Sequence, residues 1–285
     1  MSMRLAIIGV GLMGGSFALA LKRAGKAGTV VGCGRSRANL EWALSHGVID
    51  AIAASPAHAV QGADAVMLAV PVGQMDAVLA DIAAHLPAHA AVTDAASTKQ
   101  NVVTAARARL GAHFPRFVPG HPIAGTEHSG AAAARADLYD GRRVILTPLP
   151  ETEAAAVQEM RALWQACGAQ VAEMEAAQHD AVFAAVSHLP HMLSYAYADM
   201  IAAHADRALC LDYAASSFRD VTRIAASSAE MWRDIALANR SALLAEMERF
   251  EGRWQALRKA LQDGDGAALE AIFMHARAMR KDWSL

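Results

Sequence analysis

Short runs of apolar residues alternate with longer amphipathic stretches over the first half of the chain. Alanine-rich segments such as Gln74–His85 and Lys99–Leu110 place their apolar residues on one helical face. Candidate strands stand between such segments, at Leu5–Ile8, Thr29–Gly32, Ala65–Val70, Ala91–Thr93, Phe117–Pro119, Val144–Thr147 and Gln170–Glu173. Strands that alternate with helices of this length predict a parallel sheet covered by helices on both faces.

Beyond about Gln178 the spacing of apolar residues is helical. Long helical stretches are expected at Pro190–Ala205, Ala229–Leu261 and Gly266–Lys281. An α/β half followed by an all-α half predicts two domains, which we place at residues 1–176 and 177–285. The first two helical stretches carry more apolar surface than one helical layer can hide. We therefore expect the second domain to form a homodimer.

Composition narrows the class of protein. With 54% hydrophobic and 19% charged residues, the chain can bury a full core and is not disordered. A net charge of −2 without a long basic run argues against nucleic-acid binding. Three widely spaced cysteines form neither a disulfide framework nor a zinc motif. No signal peptide and no apolar run of membrane-spanning length is evident, so we expect a soluble cytoplasmic protein.

A glycine cluster follows the first strand and opens the first helix. Gly9, Gly11 and Gly14 form the pattern G-x-G-x-x-G. In this pattern the first glycine allows a tight turn, the second lets the backbone approach a pyrophosphate, and the third lets helix and strand pack closely. The position after a strand favours a dinucleotide site over a plain glycine turn. We assign to this cofactor site the three glycines, Leu12 and Met13 between them, and Val70 and Pro71 near the end of the third strand.

The end of the second strand indicates which dinucleotide binds. Sites for NAD usually place an acidic residue there, on the ribose 2′-hydroxyl, but this chain has Gly34. Arg35, Ser36 and Arg37 follow, and arginine is a good partner for a 2′-phosphate because of its fork geometry. We therefore expect NADP as the cofactor and add these four residues to the site. The alternative is that both arginines are ordinary surface charges.

Two polar segments follow later strands of the first half. The segment TDAASTKQ contains Ser97 and Thr98, either of which could simply cap the next helix. The segment GHPIAGTEHSG contains His121 just past the fifth strand, at the edge where open α/β sheets bind ligands. Imidazole titrates nearest neutrality, so a catalytic role suits His121.

Two further polar segments lie in the helical half. His188 and His191 in SHLPHML are three residues apart and could share a helical face, although His188 could equally be a capping or core histidine. A metal site is less favoured, because no carboxylate stands at ligand spacing, and we expect no metal. In SFRDVTRIAASSAEMW, Arg223 could bind a substrate carboxylate or form a structural ion pair with Asp220.

Together these segments resemble the prephenate/arogenate (cyclohexadienyl) dehydrogenase family of tyrosine biosynthesis. The resemblance covers nearly the whole chain and rests on the glycine motif, DAASTK, GHPIAGTEHSG, SHLPH and FRDVTRIA. It implies a Rossmann-type dinucleotide-binding domain followed by an all-α dimerisation domain. It also implies oxidative decarboxylation of prephenate or arogenate to 4-hydroxyphenylpyruvate or tyrosine, with hydride transfer to NADP. The resemblance implies that His121 and Ser97 are catalytic groups. It implies that Arg223 binds a substrate carboxylate and is itself held in place by Asp220. The residues implied to surround the substrate are Thr126, Glu127, His188 and His191.

Two other functions remain open at this point. One is a catalytically silent NADP-binding sensor, and the other is a two-domain dehydrogenase of the β-hydroxyacid type. The choice between prephenate and arogenate also remains open. Gln178 and Asp180 could read the keto or amino group that distinguishes them, or could simply begin a helix. Because the chain ends at Leu285, we expect no ACT-type regulatory domain.

Overall fold

The computed structural model describes residues 3–125 and 128–283. A six-stranded sheet with strand order β3-β2-β1-β4-β5-β6 forms the centre of the α/β part. All of its neighbouring strands are parallel. The strands are β1 (Met3–Ile8), β2 (Ala27–Cys33), β3 (Ala51–Ile52), β4 (Ala65–Leu68), β5 (Ala91–Asp94) and β6 (Phe117–Val118).

Apolar side chains cover both faces of this sheet. Leu5 and Ile7 of β1 belong to one buried cluster, and Ala6 and Ile8 belong to another. A strand that is apolar at every position is typical of a parallel sheet buried on both sides. The covering helices are α1 (Leu12–Arg23), α2 (Arg37–Ser45), α3 (Pro56–Ala59), α4 (Met75–Ile82), α5 (Gln100–Arg109) and α6 (Ala154–Ala166).

The last predicted strands do not join the parallel sheet. A separate three-stranded sheet contains β7 (Gly120–Pro122), β8 (Arg143–Leu146) and β9 (Gln170–Glu173). Strands β7 and β8 are antiparallel, whereas β8 and β9 are parallel. The expectation of one sheet was wrong here because the chain leaves β6, passes Pro119 and starts the new strand β7 at once.

Helices follow from residue 176 onward. They are α7 (Ala176–Phe183), α8 (Leu189–Ala202), α9 (Arg207–Asp212), α10 (Ser216–Thr222), α11 (Ala229–Ala238), α12 (Arg240–Asp263) and α13 (Gly266–Asp282). A π-helical turn at Ala184–His188 joins α7 to α8. The predicted stretch Ala229–Leu261 is two helices and not one, because Asn239 leaves the helical conformation and turns its side chain into the core.

Packing divides the chain into Met1–Asn239 and Arg240–Leu285. In the first unit α7 packs against α5, and α11 packs against the turn Val72–Gln74. These helices therefore pack with the α/β part. The division by packing lies at Asn239 and not between residues 176 and 177, and the predicted domain boundary there stays a prediction. The second unit is a pair of contacting helices, α12 and α13. Within the described residues, no helix combines the length and the apolar character needed to cross a bilayer.

Candidate active site

The glycine turn has the geometry that a phosphate cradle requires. Gly9 has a φ of 99°, and a Cβ there would clash with the carbonyl oxygen of Ala69. A Cβ at Gly14 would lie 2.8 Å from the Ile7 side chain, so this glycine permits the close packing of α1 on β1. A Cβ at Gly11 would meet nothing within 4 Å. The backbone there is open on one side, and the residues fit a bound pyrophosphate.

The N-terminus of α1 supports the same interpretation. Gly11 is its N-cap and provides no side-chain hydrogen bond, so the first N–H groups of the helix stay available to an anion. Leu12 is buried and Met13 is half-buried in this first turn. Val70 and Pro71 follow β4, the neighbour of β1, and are also half-buried. The sheet topology thus brings the predicted cofactor residues of β1 and β4 to one edge.

The loop after β2 keeps its arginines at the surface. The Arg35 guanidinium is loosely paired, 3.7 Å from Glu230, and its side chain is 67% exposed. Arg37 pairs with Glu41 at 2.7 Å on the same helix. The Ser36 hydroxyl caps α2 by accepting a hydrogen bond from the Asn39 N–H.

His121 lies on β7 and is almost fully buried. Its Nδ1 atom is 2.8 Å from Nε2 of His179, and Nδ1 of His179 is 2.8 Å from a carboxylate oxygen of Asp180. The chain of hydrogen bonds fixes the protons, because a carboxylate only accepts. His179 donates from Nδ1 to Asp180 and accepts at Nε2, so His121 donates from Nδ1. The Nε2 atom of neutral His121 therefore carries a lone pair and can accept a proton.

Burial keeps these imidazoles uncharged. It lowers the pKa of His121 well below the ordinary value, and His179, Lys99 and His188 lower it further. Burial also lowers the pKa of His179, against the hydrogen bond to Asp180. Burial would raise the pKa of the Asp180 carboxyl, but hydrogen bonds from His179 and the backbone bring it below its ordinary value. Asp180 is thus a carboxylate at the end of the chain of histidines.

Asp180 also caps α5 from outside the helix. Its two carboxylate oxygens accept hydrogen bonds from the N–H groups of Lys99, at 2.7 Å, and Gln100, at 2.9 Å. The helix has no cap from its own side chains, so the structure does not have the alternative arrangement in which Ser97 or Thr98 caps it. The carboxylate is engaged by these hydrogen bonds and by His179, which favours a structural role for Asp180 over the alternative of reading a substrate group.

A buried ion pair fixes the backbone beside His121. Lys99 and Asp94 are both completely buried, and Nζ of Lys99 donates to the Asp94 carboxylate and to the carbonyl oxygen of Gly120. Asp94 also accepts from the N–H groups of Ala96, at 2.9 Å, and Gly120, at 3.0 Å. Burial lowers the pKa of the Lys99 ammonium, and the Asp94 carboxylate opposes that fall. The pair joins the end of β5 to the start of β7.

His188 and His191 both face Trp232. The ring of His191 stacks on Trp232 with 3.5 Å between ring centroids, and the ring of His188 lies 6.0 Å away. His188 is 1% exposed, and Nδ2 of Asn239 lies 3.0 Å from its Nδ1 atom. Burial is the main reason that the pKa of His188 falls to about 4. Ser97 is half-buried in the loop between β5 and α5, with its backbone beside His188.

The region around Arg223 differs from the expectation. Asp220 lies 3.7 Å from Arg219, both side chains being more than 70% exposed, so the predicted pairing of Asp220 with Arg223 was wrong. The α-helix ends at Thr222, and Arg223 begins a 3-10 turn. Arg223 is exposed rather than buried. It still lies near His191, whose pKa it lowers in addition to the larger effect of burial.

Two of the predicted site residues lie outside the described part of the chain, and several residues of the site were not predicted from the sequence. Thr126 and Glu127 lie outside the described residues. The missed side chains around His121 and His188 are Lys99, Asp94, His179 and Asn239. Lys99 and Asp94 carried a signal, since both stand in the polar segment TDAASTKQ at the end of β5. Nothing in the local pattern pointed to His179 or Asn239.

The fold and the site define a class of protein. It is an α/β nucleotide-binding protein with a glycine turn after its first strand, and a helical half follows along the chain. Two sequence models match consecutive parts of the chain. The prephenate dehydrogenase nucleotide-binding domain matches residues 17–173, and the prephenate dehydrogenase dimerization domain matches residues 175–275. The chain therefore belongs to the prephenate dehydrogenase family, and the expected fold class is confirmed.

Individual relatives agree with this family. A cyclohexadienyl dehydrogenase of Zymomonas mobilis is 36% identical over 97% of this chain and 94% of its own. The prephenate dehydrogenase of Aquifex aeolicus, solved with hydroxyphenyl propionate and NAD+, has a TM-score of 0.92 at 34% identity, covering 99% of this chain and 98% of its own. Synechocystis arogenate dehydrogenase has a TM-score of 0.83 at 26% identity, covering 99% and 100%.

Proposed function

We propose that the protein catalyses the oxidative decarboxylation of prephenate or arogenate, with hydride transfer to NADP, in tyrosine biosynthesis. Membership of the prephenate dehydrogenase family supports an oxidoreductase with a pyridine nucleotide cofactor. The observation that carries the reaction is the tautomer of His121. Its Nε2 atom is an acceptor because the hydrogen bonds from His121 to His179 and from His179 to Asp180 place the His121 proton on Nδ1.

The substrate ring carries a hydroxyl group on one carbon and a carboxylate on the carbon opposite. A dinucleotide held by its pyrophosphate at the glycine turn would supply a nicotinamide that accepts the hydride. As the hydroxyl becomes a carbonyl, Nε2 of His121 accepts its proton. Loss of carbon dioxide then leaves an electron pair that makes the ring aromatic and returns charge to the oxygen, which takes the proton back. General base assistance of this kind is typically worth about 10²–10⁴-fold in rate.

The remaining residues orient the substrate in this proposal. Ser97 shares the ring hydroxyl with His121, and His188 and His191 line the site. The exposed Arg223 beside His191 binds a substrate carboxylate, because a guanidinium fork suits a carboxylate. Thr126 and Glu127 are proposed to complete the site. Prephenate and arogenate both carry the ring carboxylate and hydroxyl that this arrangement uses.

The proposal is tested by following reduced cofactor with prephenate and with arogenate. We expect activity with at least one of them, and Arg223→Ala should raise its KM about 10- to 100-fold with little change in kcat, since a hydrogen bond to a charged group is worth about 1.5–3 kcal/mol. Arg219→Ala is the matched control, because Arg219 is an exposed neighbour and should leave KM unchanged. No turnover of either substrate by the wild type would refute the proposal.

We propose NADP rather than NAD as the preferred cofactor. Gly34 leaves no carboxylate that would repel a 2′-phosphate, and Arg35 has only a loose partner at 3.7 Å. Arg37 contributes less, because Glu41 already neutralises it at 2.7 Å. The Ser36 hydroxyl accepts in the helix cap and keeps its own proton free to donate.

A double variant, Gly34→Asp with Arg35→Ala, should turn the preference toward NAD. A Cβ at Gly34 would lie 3.6 Å from Leu40, an ordinary contact, so the loop accommodates the aspartate. The measurement is the ratio of kcat/KM for NADP to that for NAD. The wild type is expected to favour NADP and the variant NAD; equal efficiency of the wild type with both cofactors would contradict this assignment.

We further propose that the protein is a homodimer assembled through its helical half. The matched dimerization domain supports this, and so do large apolar side chains that are at least 60% exposed within one chain. Apolar exposure on this scale usually marks an interface. These side chains are Val186, Leu209, Tyr213, Leu237, Leu261 and Met279. Light scattering at micromolar concentration should give the mass of two chains, and the mass of one chain would contradict the assembly.

A further inference from the structure

Asn239 occupies a buried position that the proposed reaction has not used so far. It separates α11 from α12 and is 4% exposed. Its Nδ2 atom donates to the carbonyl oxygen of Asp180 at 2.8 Å and lies 3.0 Å from Nδ1 of His188. A carbonyl oxygen can only accept a hydrogen bond, so the Asp180 contact fixes which end of the amide faces these two groups.

The orientation of Asn239 in turn fixes the proton of His188. The amide nitrogen carries two hydrogens and directs one to each partner, so Nδ1 of His188 accepts. A neutral imidazole carries one proton, which then resides on Nε2. Nε2 is buried, and no hydrogen bond of standard geometry reaches it among the described residues. The Ser97 backbone lies beside the ring and favours its protonation. His188 is thus an Nε2–H donor, whereas His121 offers an Nε2 lone pair.

His188 has charged or titratable neighbours on two helices. Asp180 on α7 favours a charge on its ring, whereas His179 on α7 and His191 on α8 oppose one. From α11 the Trp232 ring faces it at 6.0 Å. Protonation at Nδ1 would also break the hydrogen bond from Asn239. Burial and the hydrogen bond from Asn239 together keep the ring uncharged at neutral pH, against the effect of Asp180.

A charge on His188 would act directly on His121, because His188 is one of the groups that lower the pKa of His121. A cation there would make His121 a weaker proton acceptor. We propose that Asn239 is a positioning residue for the reaction, holding His188 as the uncharged Nε2–H tautomer so that His121 alone takes the substrate proton. The role in the reaction rests on the proposed function, whereas the tautomer of His188 does not.

Nitrogen-15 NMR of the full-length protein labelled at histidine tests the tautomer without any turnover. The spectrum of His188→Gln identifies the His188 signals by their loss. In the wild type at pH 7 we expect a protonated Nε2 and an unprotonated Nδ1. In Asn239→Asp a carboxylate replaces the donor, so the proton should move to Nδ1 and the pKa of His188 should rise toward neutrality.

Kinetics of the same variant test the role in the reaction. Asn239→Asp should lower kcat at pH 7 about 10- to 100-fold, the range found when the hydrogen-bond partner that orients a metal-binding histidine is lost. The acid limb of its kcat profile should lie at higher pH than that of the wild type. Gln158→Glu on α6 is the matched control, since it adds the same charge at an exposed position. It should change neither the His188 signals nor kcat.

Three results would overturn the proposal. One is a wild-type His188 that is charged or protonated at Nδ1 at pH 7, a result that needs no variant to fold. Another is Asn239→Asp with altered His188 signals but wild-type kcat and acid limb. The third is a wild type with the expected His188 signals but no dehydrogenase activity, which would overturn the proposed function and the role in it while the tautomer assignment stands.

Discussion

Replacing His121 by asparagine is expected to lower kcat about 100-fold or more, on the usual scale of general base assistance. Asparagine keeps a polar group of similar size but has no nitrogen lone pair that takes up a proton near neutral pH. The loss of the His121 imidazole should lower kcat because the proton moves as hydride leaves, in the transition state and not in the ground state. The dissociation constant of NADP should stay near the wild-type value, since the hydrogen bond and ring contacts of His121 are with His179 and Phe183 and not with the glycine turn.

The measurement is steady-state kinetics together with titration of the cofactor. His46→Asn is a suitable control, because this histidine is exposed on α2 and bonds only to its own helix. Near wild-type kcat for His121→Asn with an altered NADP dissociation constant would make His121 a cofactor-site residue. The proton acceptor would then have to be sought at His188 or His191.

Replacing Lys99 by methionine is expected to lower the free energy of unfolding by about 3–5 kcal/mol, the usual effect of removing one partner from a buried ion pair. The Asp94 carboxylate, with no exposed side-chain surface, would lose its only side-chain cation in the described residues. Methionine fills much of the lysine volume, so the effect reports the charge rather than a cavity. The hydrogen bond to the Gly120 carbonyl, which anchors the residue before His121, is lost as well.

Urea unfolding followed by circular dichroism checks this prediction. Lys22→Met is the matched control, because Lys22 pairs with Asp50 at 2.7 Å at the surface, where both side chains are partly exposed. Exposed pairs contribute about 0–1 kcal/mol. If both variants unfold at the same urea concentration as the wild type, the buried pair does not stabilise the site as described.

Much of the parallel sheet could be predicted from the sequence because its strands contain continuous apolar runs, such as residues 5–8 of β1 and all of β4. β1, β2, β4 and β5 appear within two residues of their predicted bounds. The glycine pattern was informative for a physical reason, since only glycine tolerates the φ of 99° at Gly9 beside the Ala69 carbonyl. The nucleotide-binding fold is confirmed by the family to which the chain belongs.

The second sheet could not be predicted because β7 is only three residues long and contains a histidine and a proline. The break at Asn239 was missed for a related reason. Asparagine inside an alanine-rich helical pattern is unremarkable locally, and only the partners Asp180 and His188, 59 and 51 residues away, hold it out of the helix. Such long-range pairs leave no periodic signal in a single sequence.

The candidate site shows the same contrast. His121 was singled out by its motif, but its partner His179 lies 58 residues further along the chain and was not. The exposure of Arg223 was also hidden, since the change from α10 to a 3-10 turn at that residue has no strong signal in the sequence. The catalytic and binding roles of these residues stay predictions.

We propose that this site oxidises and decarboxylates its substrate in one reaction. The most direct test measures reduced NADP by absorbance and released carbon dioxide in the same reaction, with prephenate and with arogenate. We expect one carbon dioxide for each reduced cofactor, with 4-hydroxyphenylpyruvate or tyrosine as the product. Reduced cofactor without carbon dioxide, as a dehydrogenase of the β-hydroxyacid type would give, or neither product from either substrate, would contradict it.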